Sequence, residues 1–130
     1  MEIVLRFVDQ ARATRDPVWD IFDEDVEWEF DPSSLALPDV PPRSHGADAV
    51  RHFFRRLIGG FESWDYEVEE SIDAGDAVVL RIHHWGRGKG SGAAVEARFW
   101  QVWTMRGGKA VRVTHHIDKA KALEAAGLRE

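Results

Sequence analysis

Apolar residues in the first half of the chain recur at the three-to-four-residue spacing of amphipathic helices. This spacing predicts one helix over residues 2–13 and a longer one over residues 47–61, each with a broad apolar stripe. Between them, Asp16-Pro17 is typical of a helix start with proline at the first helical position. The pattern therefore predicts a short intervening helix that buries Val18, Trp19, Ile21 and Phe22.

The pattern changes to strict alternation just after this short helix. Val26, Trp28 and Phe30 alternate with acidic residues, which predicts a strand with one solvated face. The next segment, residues 31–45, contains four prolines, and proline cannot donate to a strand ladder. We therefore expect a long loop there, of the kind that forms a lid or wall of a binding site.

From Trp64 onward the apolar period is two, which indicates a strand-rich second half. Glycine-containing turns divide it into predicted strands over 64–73, 76–87, 94–106 and 109–117. A last helix, Lys119–Ala126, has Asp118 as its N-cap. The predicted order is two helices, a strand, a loop, a helix, an antiparallel four-stranded meander and a short helix. This is an α+β fold, and residues 1–130 have the size of one domain.

Some predicted strands carry apolar residues on both faces, and such a sheet must be covered on both. Trp100 and Val102 oppose Phe99 and Trp103 in this way. Because the predicted helices cover one face only, we expect a second copy to cover the other. The sequence therefore predicts a homodimer through the outer sheet face, with Trp100 and Val102 near its centre.

Composition narrows the class of partner. The chain has 17 Lys and Arg against 23 Asp and Glu, a net charge of −6, which disfavours nucleic acid and anionic membranes. The lack of cysteine excludes disulfides, thiolate catalysis and cysteine-ligated zinc. The N-terminal segment carries charges and no apolar run is long enough to span a bilayer. We therefore expect a soluble, cytoplasmic protein.

Short motifs follow one another in a fixed order along nearly the whole chain. They are Asp16-Pro17-Val18-Trp19, the segments 22–28, 45–50, 75–79 and 88–92, Val102-Trp103-Thr104, and the segment 122–128. In order and spacing these motifs resemble those of SnoaL-like proteins. The resemblance implies the nuclear transport factor 2-like superfamily, a cone of curved antiparallel sheet wrapped on three helices. That superfamily includes ketosteroid isomerase, limonene epoxide hydrolase, polyketide cyclases and members without known activity. It therefore implies a pocket for an apolar small molecule and no particular reaction.

The resemblance also implies which side chains point into the cone. Matching the Gly108-Lys109 turn to that of ketosteroid isomerase places Gln101 where that enzyme has its oxyanion-hole aspartic acid. Strand alternation then predicts an inward-facing wall that also contains residues of the neighbouring strands. The ligand-binding residues predicted in this way, with Trp28 from the first strand, are Trp28, Arg81, Trp85, Phe99, Gln101, Trp103 and Val113.

Two histidines on the same inferred face are candidate catalytic groups. His115 falls where SnoaL-type cyclases have their acid/base aspartate, and an imidazole there could relay a proton near neutral pH. His83 is the second candidate. For both, the alternative is a structural imidazole that only hydrogen-bonds a neighbour. Because His84 and His116 would point to the opposite face and no carboxylate shares the inferred face, we predict no metal, and no cofactor is implied.

Two functional hypotheses remain open from the sequence. Phe7 or Val8 stands where ketosteroid isomerase has its tyrosine, and its base aspartate falls near Phe30, so that enzyme's constellation is not reproduced. The first hypothesis is a cofactor-free acid/base enzyme, of isomerase, cyclase or hydratase type, acting on an apolar oxygenated metabolite. The second is a non-catalytic ligand-binding or dimerisation module.

Overall fold

A computed structural model of the chain describes residues 1–14, 19–30 and 43–128. Three helices, a short 3₁₀ turn and six strands make up these ranges. In chain order they are α1 (Glu2–Thr14), the 3₁₀ turn (Trp19–Ile21), β1 (Phe22–Phe30), β2 (Arg43–His45), α2 (Ala47–Gly59), β3 (Phe61–Asp73), β4 (Ala77–Gly88), β5 (Ala94–Arg106), β6 (Lys109–His116) and α3 (Lys119–Ala125). Neither α1, α2 nor α3 is long and apolar enough to cross a membrane.

All six strands form one curved, unclosed sheet in the order β2-β1-β6-β5-β4-β3. The four last strands are the predicted antiparallel meander, and β1 joins its edge by pairing in parallel with β6. The main core lies between the inner sheet face and the helices α1 and α2. This arrangement confirms the predicted α+β fold.

Polar contacts with β3 hold helix α1 against the sheet. The buried Tyr66 hydroxyl donates to the Val8 carbonyl at 2.6 Å, and Arg12 Nε donates to Asp65 Oδ1 at 2.8 Å. Buried Val4 and Phe7 on the same helix join the core. These contacts fix α1 across the open side of the sheet and so enclose the interior.

Some element boundaries differ from the predicted ones. Arg43–His45 is a strand that pairs with β1, whereas the prediction included these residues in a loop. The last proline of the segment is Pro42, so the three residues after it have free N–H groups for the ladder. The rest of the predicted loop, residues 31–42, lies outside the described residues.

Two further boundaries depend on pairing across the chain. Helix α2 ends at Gly59, because Phe61 already pairs with Gly88 in the sheet. The predicted helix after Pro17 is only a 3₁₀ turn within the described residues, and Ile21 and Phe22 are buried as predicted. Asp16-Pro17 and Val18, and the side chain of Trp19, lie outside the described part.

The outer sheet face is covered from within the chain by α3. Ala122 of this helix packs with Val79, Trp100 and Val102 in a second buried cluster, where Trp100 is only 7% exposed. The predicted N-cap is confirmed, because Asp118 accepts the N–H of Ala120 at 2.8 Å. The apolar surface from which the homodimer was inferred is thus already buried at Trp100 and Val102. The homodimer itself stays a prediction.

Candidate functional site

The cone contains a cavity of about 80 Å³ between α1, α2 and the inner sheet face. Strands β1 and β5 contribute aromatic side chains to its wall because their alternate residues point inward. The aromatic residues that dominate the wall are Phe7, Trp28, Phe30, Phe53, Phe99 and Trp103. No charged carboxylate, lysine or arginine lines it among the described residues. The site is therefore an apolar chamber with a few neutral polar groups.

A chain of hydrogen bonds crosses the floor of the cavity. Trp103 Nε1 donates to Gln101 Oε1 at 2.6 Å, and Gln101 Nε2 lies 3.1 Å from His115 Nε2. His115 Nδ1 lies 2.8 Å from the carbonyl oxygen of Glu29, which can only accept. The imidazole proton is therefore on Nδ1, and Nε2 accepts from the Gln101 amide.

His115 is held as a neutral imidazole by this environment. Burial lowers its pKa from 6.5 to about 3, against a smaller raising effect of the hydrogen bond to the Glu29 backbone. Its ring stacks on Phe30 at 4.2 Å between centroids. Both ring nitrogens are engaged and the ring is uncharged at neutral pH, so this geometry favours the structural alternative for His115.

The face predicted for β4 is wrong, whereas the faces predicted for β5 and β6 are as expected. In the β4–β5 pairing Leu80 is opposite Gln101 and Ile82 is opposite Phe99, and directly opposed residues share a face. Arg81, His83 and Trp85 therefore lie on the outer face and do not line the cavity. The connection between β4 and β5 sets the register, and a slip of one residue in the assumed alignment reverses every side chain of the strand.

Two of the displaced residues, Arg81 and His83, contact carboxylates on the outside of the sheet. Arg81 Nε lies 3.7 Å from Glu69 Oε1, and His83 contacts both Glu67 and Glu96 at 3.2 Å. The prediction from the sequence that no carboxylate lies on the same face as His83 is therefore wrong. Its ring and the carboxylates of Glu67 and Glu69 approach within 4.8 Å of one another, a spacing that a cation could use.

A second arginine at that cluster makes cation binding unfavourable. Arg98 Nε donates to the same Glu69 oxygen at 2.9 Å, so the Glu69 carboxylate is already neutralised by arginine. The cluster lies on the outer face, and none of its residues is among the described residues that line the interior cavity.

His84 is the cavity residue that the sequence prediction missed. It is 2% exposed, and its Nδ1 accepts the Trp64 indole N–H at 3.2 Å. Burial, the larger cause, and the neighbouring His83 both lower its pKa. The alternation of Val78, Leu80 and Ile82 was the signal that could have found it, since His84 continues the same apolar face.

The remaining predicted ligand-binding residues divide into two groups. Trp28, Phe99, Gln101 and Trp103 line the cavity together with His115. Val113 is fully buried in the adjoining core but is not part of the cavity wall.

Comparison with known proteins places this geometry in context. An NTF2-like protein of unknown function from Burkholderia pseudomallei K96243 superposes with a TM-score of 0.75 at 25% identity, over 95% of this chain and 94% of that one. TerC, co-crystallised with polyporic acid, gives a TM-score of 0.74 at 23% identity, over 97% and 96% of the two chains. A protein from Jannaschia sp. CCS1, described as a SnoaL-like polyketide cyclase, gives 0.73 at 21% identity over 99% and 92%.

No curated protein matches the chain in sequence. The SnoaL-like domain family matches it over residues 4–113, a span that contains most of α1, all of α2, the first five strands of the sheet in chain order and most of β6. The cone-shaped fold is consistent with this family match. The chain belongs to the SnoaL-like domain family.

Proposed function

We propose that the protein binds an uncharged, mainly apolar small molecule inside the cone. One observation carries the proposal: an aromatic cavity inside the cone without a charged side chain among the described residues of its wall. Apolar clefts with a few fixed polar groups are the usual form of small-molecule sites. An ion would lose its hydration in this cavity without gaining a counter-ion, which costs far more than aromatic contacts return.

The structural relatives support a binding function of this kind. TerC was crystallised with polyporic acid, and the Jannaschia protein is described as a SnoaL-like polyketide cyclase. The present cavity occupies the inside of the same cone. The class of ligand proposed for this chain follows from the residues that line its own cavity.

An acid/base reaction centred on His115 has weaker support than binding. A general acid or base works best with a pKa near the operating pH, and burial lowers the pKa of His115 to about 3. The lone pair of Nε2 is occupied by the Gln101 amide, so a substrate proton would first have to displace that contact. His83 lies outside the cavity and cannot assist. The geometry thus favours a ligand-binding protein over an isomerase, cyclase or hydratase that uses these two histidines.

Three probes built on one bicyclic skeleton test the proposal. Tetralin is apolar, 1-tetralone adds one carbonyl oxygen, and 1,2,3,4-tetrahydro-2-naphthoate adds a carboxylate. Titration calorimetry should detect the two neutral compounds and give no measurable binding of the anion. Equal binding of the carboxylate, or no binding by any of the three up to their solubility limits, would contradict the proposed function.

A further inference from the structure

A second concave site, separate from the cone cavity, lies beside the end of α2. It is found where the edge strand β3 pairs with β4, and its volume is about 330 Å³, against about 80 Å³ for the cone cavity. We call this site the outer groove, and its wall includes Phe61, Glu62, Trp64, Asp65 and Trp85. A groove of this size has room for a small molecule.

Three aromatic rings of the outer groove are held in place by their neighbours. Phe61 and Trp64 stack with their ring centroids 6.2 Å apart. The Trp64 indole N–H donates to His84 Nδ1 at 3.2 Å, and the Trp85 ring packs on His83 at 4.8 Å between centroids. All three rings are only partly buried. They are therefore arranged before a ligand arrives, which lowers the entropic cost of binding.

The charged groups in the wall of the outer groove are carboxylates. Asp65 is already paired with Arg12, whose Nε lies 2.8 Å from Asp65 Oδ1. Glu62 is exposed, and its carboxylate has no hydrogen-bond or ion-pair partner among the described residues. No lysine, arginine or histidine of the described ranges lines the groove. The carboxylate of Glu62 therefore leaves this aromatic groove with a negative charge that is not balanced.

Aromatic rings beside an unpaired carboxylate favour one class of ligand. The face of an aromatic ring attracts a cation, and a carboxylate adds an ion pair. A metal ion is disfavoured, because it would exchange its hydration for one free carboxylate and for rings that supply no oxygen ligand. An alkylated ammonium group is weakly hydrated, and its methyl groups can contact the rings. An anion would be repelled by Glu62.

We propose that the outer groove binds a small organic cation of the alkylated ammonium class, with its methyl groups against the aromatic rings and Glu62 as the counter-ion. This site is distinct from the ligand site proposed inside the cone, and the inference does not depend on that proposal. Trp64 lines both spaces, whereas Glu62 and Trp85 line the outer groove and not the cone cavity. Glu62 and Trp85 are binding residues in this account, and no reaction is assigned to them.

Choline and its neutral isostere 3,3-dimethylbutan-1-ol test the inference, because the two molecules share a shape and differ in charge. ¹H–¹⁵N spectra of the indole groups follow both titrations at constant ionic strength, with the Trp85 signal identified by its loss in Trp85→Leu. Choline should move the Trp85 signal to saturation and bind at least about fivefold more tightly than the isostere. Equal affinities, no saturable movement of the Trp85 signal, or movement confined to Trp28 and Trp103 of the cone cavity would overturn the inference.

Two variants test the roles of the individual groove residues. Glu62→Gln keeps the shape of the side chain and removes its charge, so it should weaken choline by about three- to fivefold and leave the isostere nearly unchanged. Trp85→Leu removes one ring and should weaken choline by about fivefold. The matched control is Glu124→Gln, the same change at an exposed residue of α3 that does not line the groove, and it should leave both affinities unchanged. If Glu62→Gln and Glu124→Gln weaken choline alike, only the overall negative charge of the chain attracts the cation, and the inference fails.

Discussion

At the scale of single residues, the interior combines neutral polar side chains with an aromatic wall. His115 and His84 are uncharged because burial penalises the imidazolium form, and both pKa values are lowered. In the unfolded chain each would titrate near 6.5. Folding therefore requires both rings to stay deprotonated.

This difference predicts that the protein loses stability in mild acid. Below pH 6.5 the unfolded chain binds protons that the folded His115 does not bind until about pH 3, so the free energy of unfolding falls as pH decreases across that window. From pH 7 to pH 5, His115 alone should remove about 2 kcal/mol. Urea unfolding at a series of pH values measures this slope.

The variant His115→Gln provides the comparison for that measurement. It should be less stable than the wild type at pH 7, by about 1–3 kcal/mol, because it disturbs the bonds to Gln101 and Glu29. Its stability should also change less between pH 7 and pH 5. The exposed His45 has a pKa raised by a hydrogen bond to Glu27, so its protonation stabilises the folded state as pH decreases. This contribution is the same in the wild type and the variant, and it cancels in the comparison. Parallel pH profiles would show that His115 is not the buried neutral group.

At the scale of elements, the site depends on close approach of β3 and β4. Trp64, which holds His84, is opposite Gly86 in the ladder. A Cβ atom at Gly86 would lie 2.3 Å from the Ser63 carbonyl oxygen, which is backbone and cannot move aside easily. Glycine is therefore required where these strands meet beside the cavity.

The expected result is that Gly86→Ala lowers the free energy of unfolding by about 1–3 kcal/mol through this clash. Gly59→Ala is the matched control, because a Cβ at the end of α2 meets nothing within 4 Å. That variant should be neutral or more stable by up to about 1 kcal/mol, since alanine loses less backbone entropy on folding. Chemical denaturation of both variants decides, and similar losses in the two would argue against the tight β3–β4 contact.

A second element-scale prediction concerns the cover of the outer face. Ala122→Glu would place a carboxylate in the fully buried contact of α3 with Val79 and Val102, and should cost about 2–4 kcal/mol of unfolding free energy. Lys121→Glu, one residue away and exposed, should change it by no more than about 0.5 kcal/mol. If the two variants unfold alike in denaturant, α3 does not dock on this face.

The helices and strands were predictable because their signal is local. Apolar spacing placed α1, α2 and the meander, and Asp118 marked the start of α3. The face of β4 was not predictable by matching a distant turn, because register depends on pairing with β5. The cover of Trp100 by α3 was also missed, since it joins residues that are neighbours only in the folded chain. The register of β4 against β5 explains why His84 lines the cavity and why Arg81, His83 and Trp85 do not.

At the scale of the whole molecule, the sheet has two different faces with separate roles. The inner face and two helices enclose the aromatic cavity, and the outer face carries α3 and an ion-pair network around Glu69. A ligand in the cavity would contact residues from α2 and β5 at once. A separate groove beside the end of α2, lined by Phe61 and Trp85, offers an external alternative.

The central claim, that the ligand lies inside the cone, is tested most directly by intermolecular nuclear Overhauser effects from bound 1-tetralone. The account predicts contacts from the probe's aromatic protons to the rings of Phe53, Phe99 and Trp103, which line the cavity. Contacts confined to Phe61 and Trp85 would place the probe in the outer groove and contradict the claim.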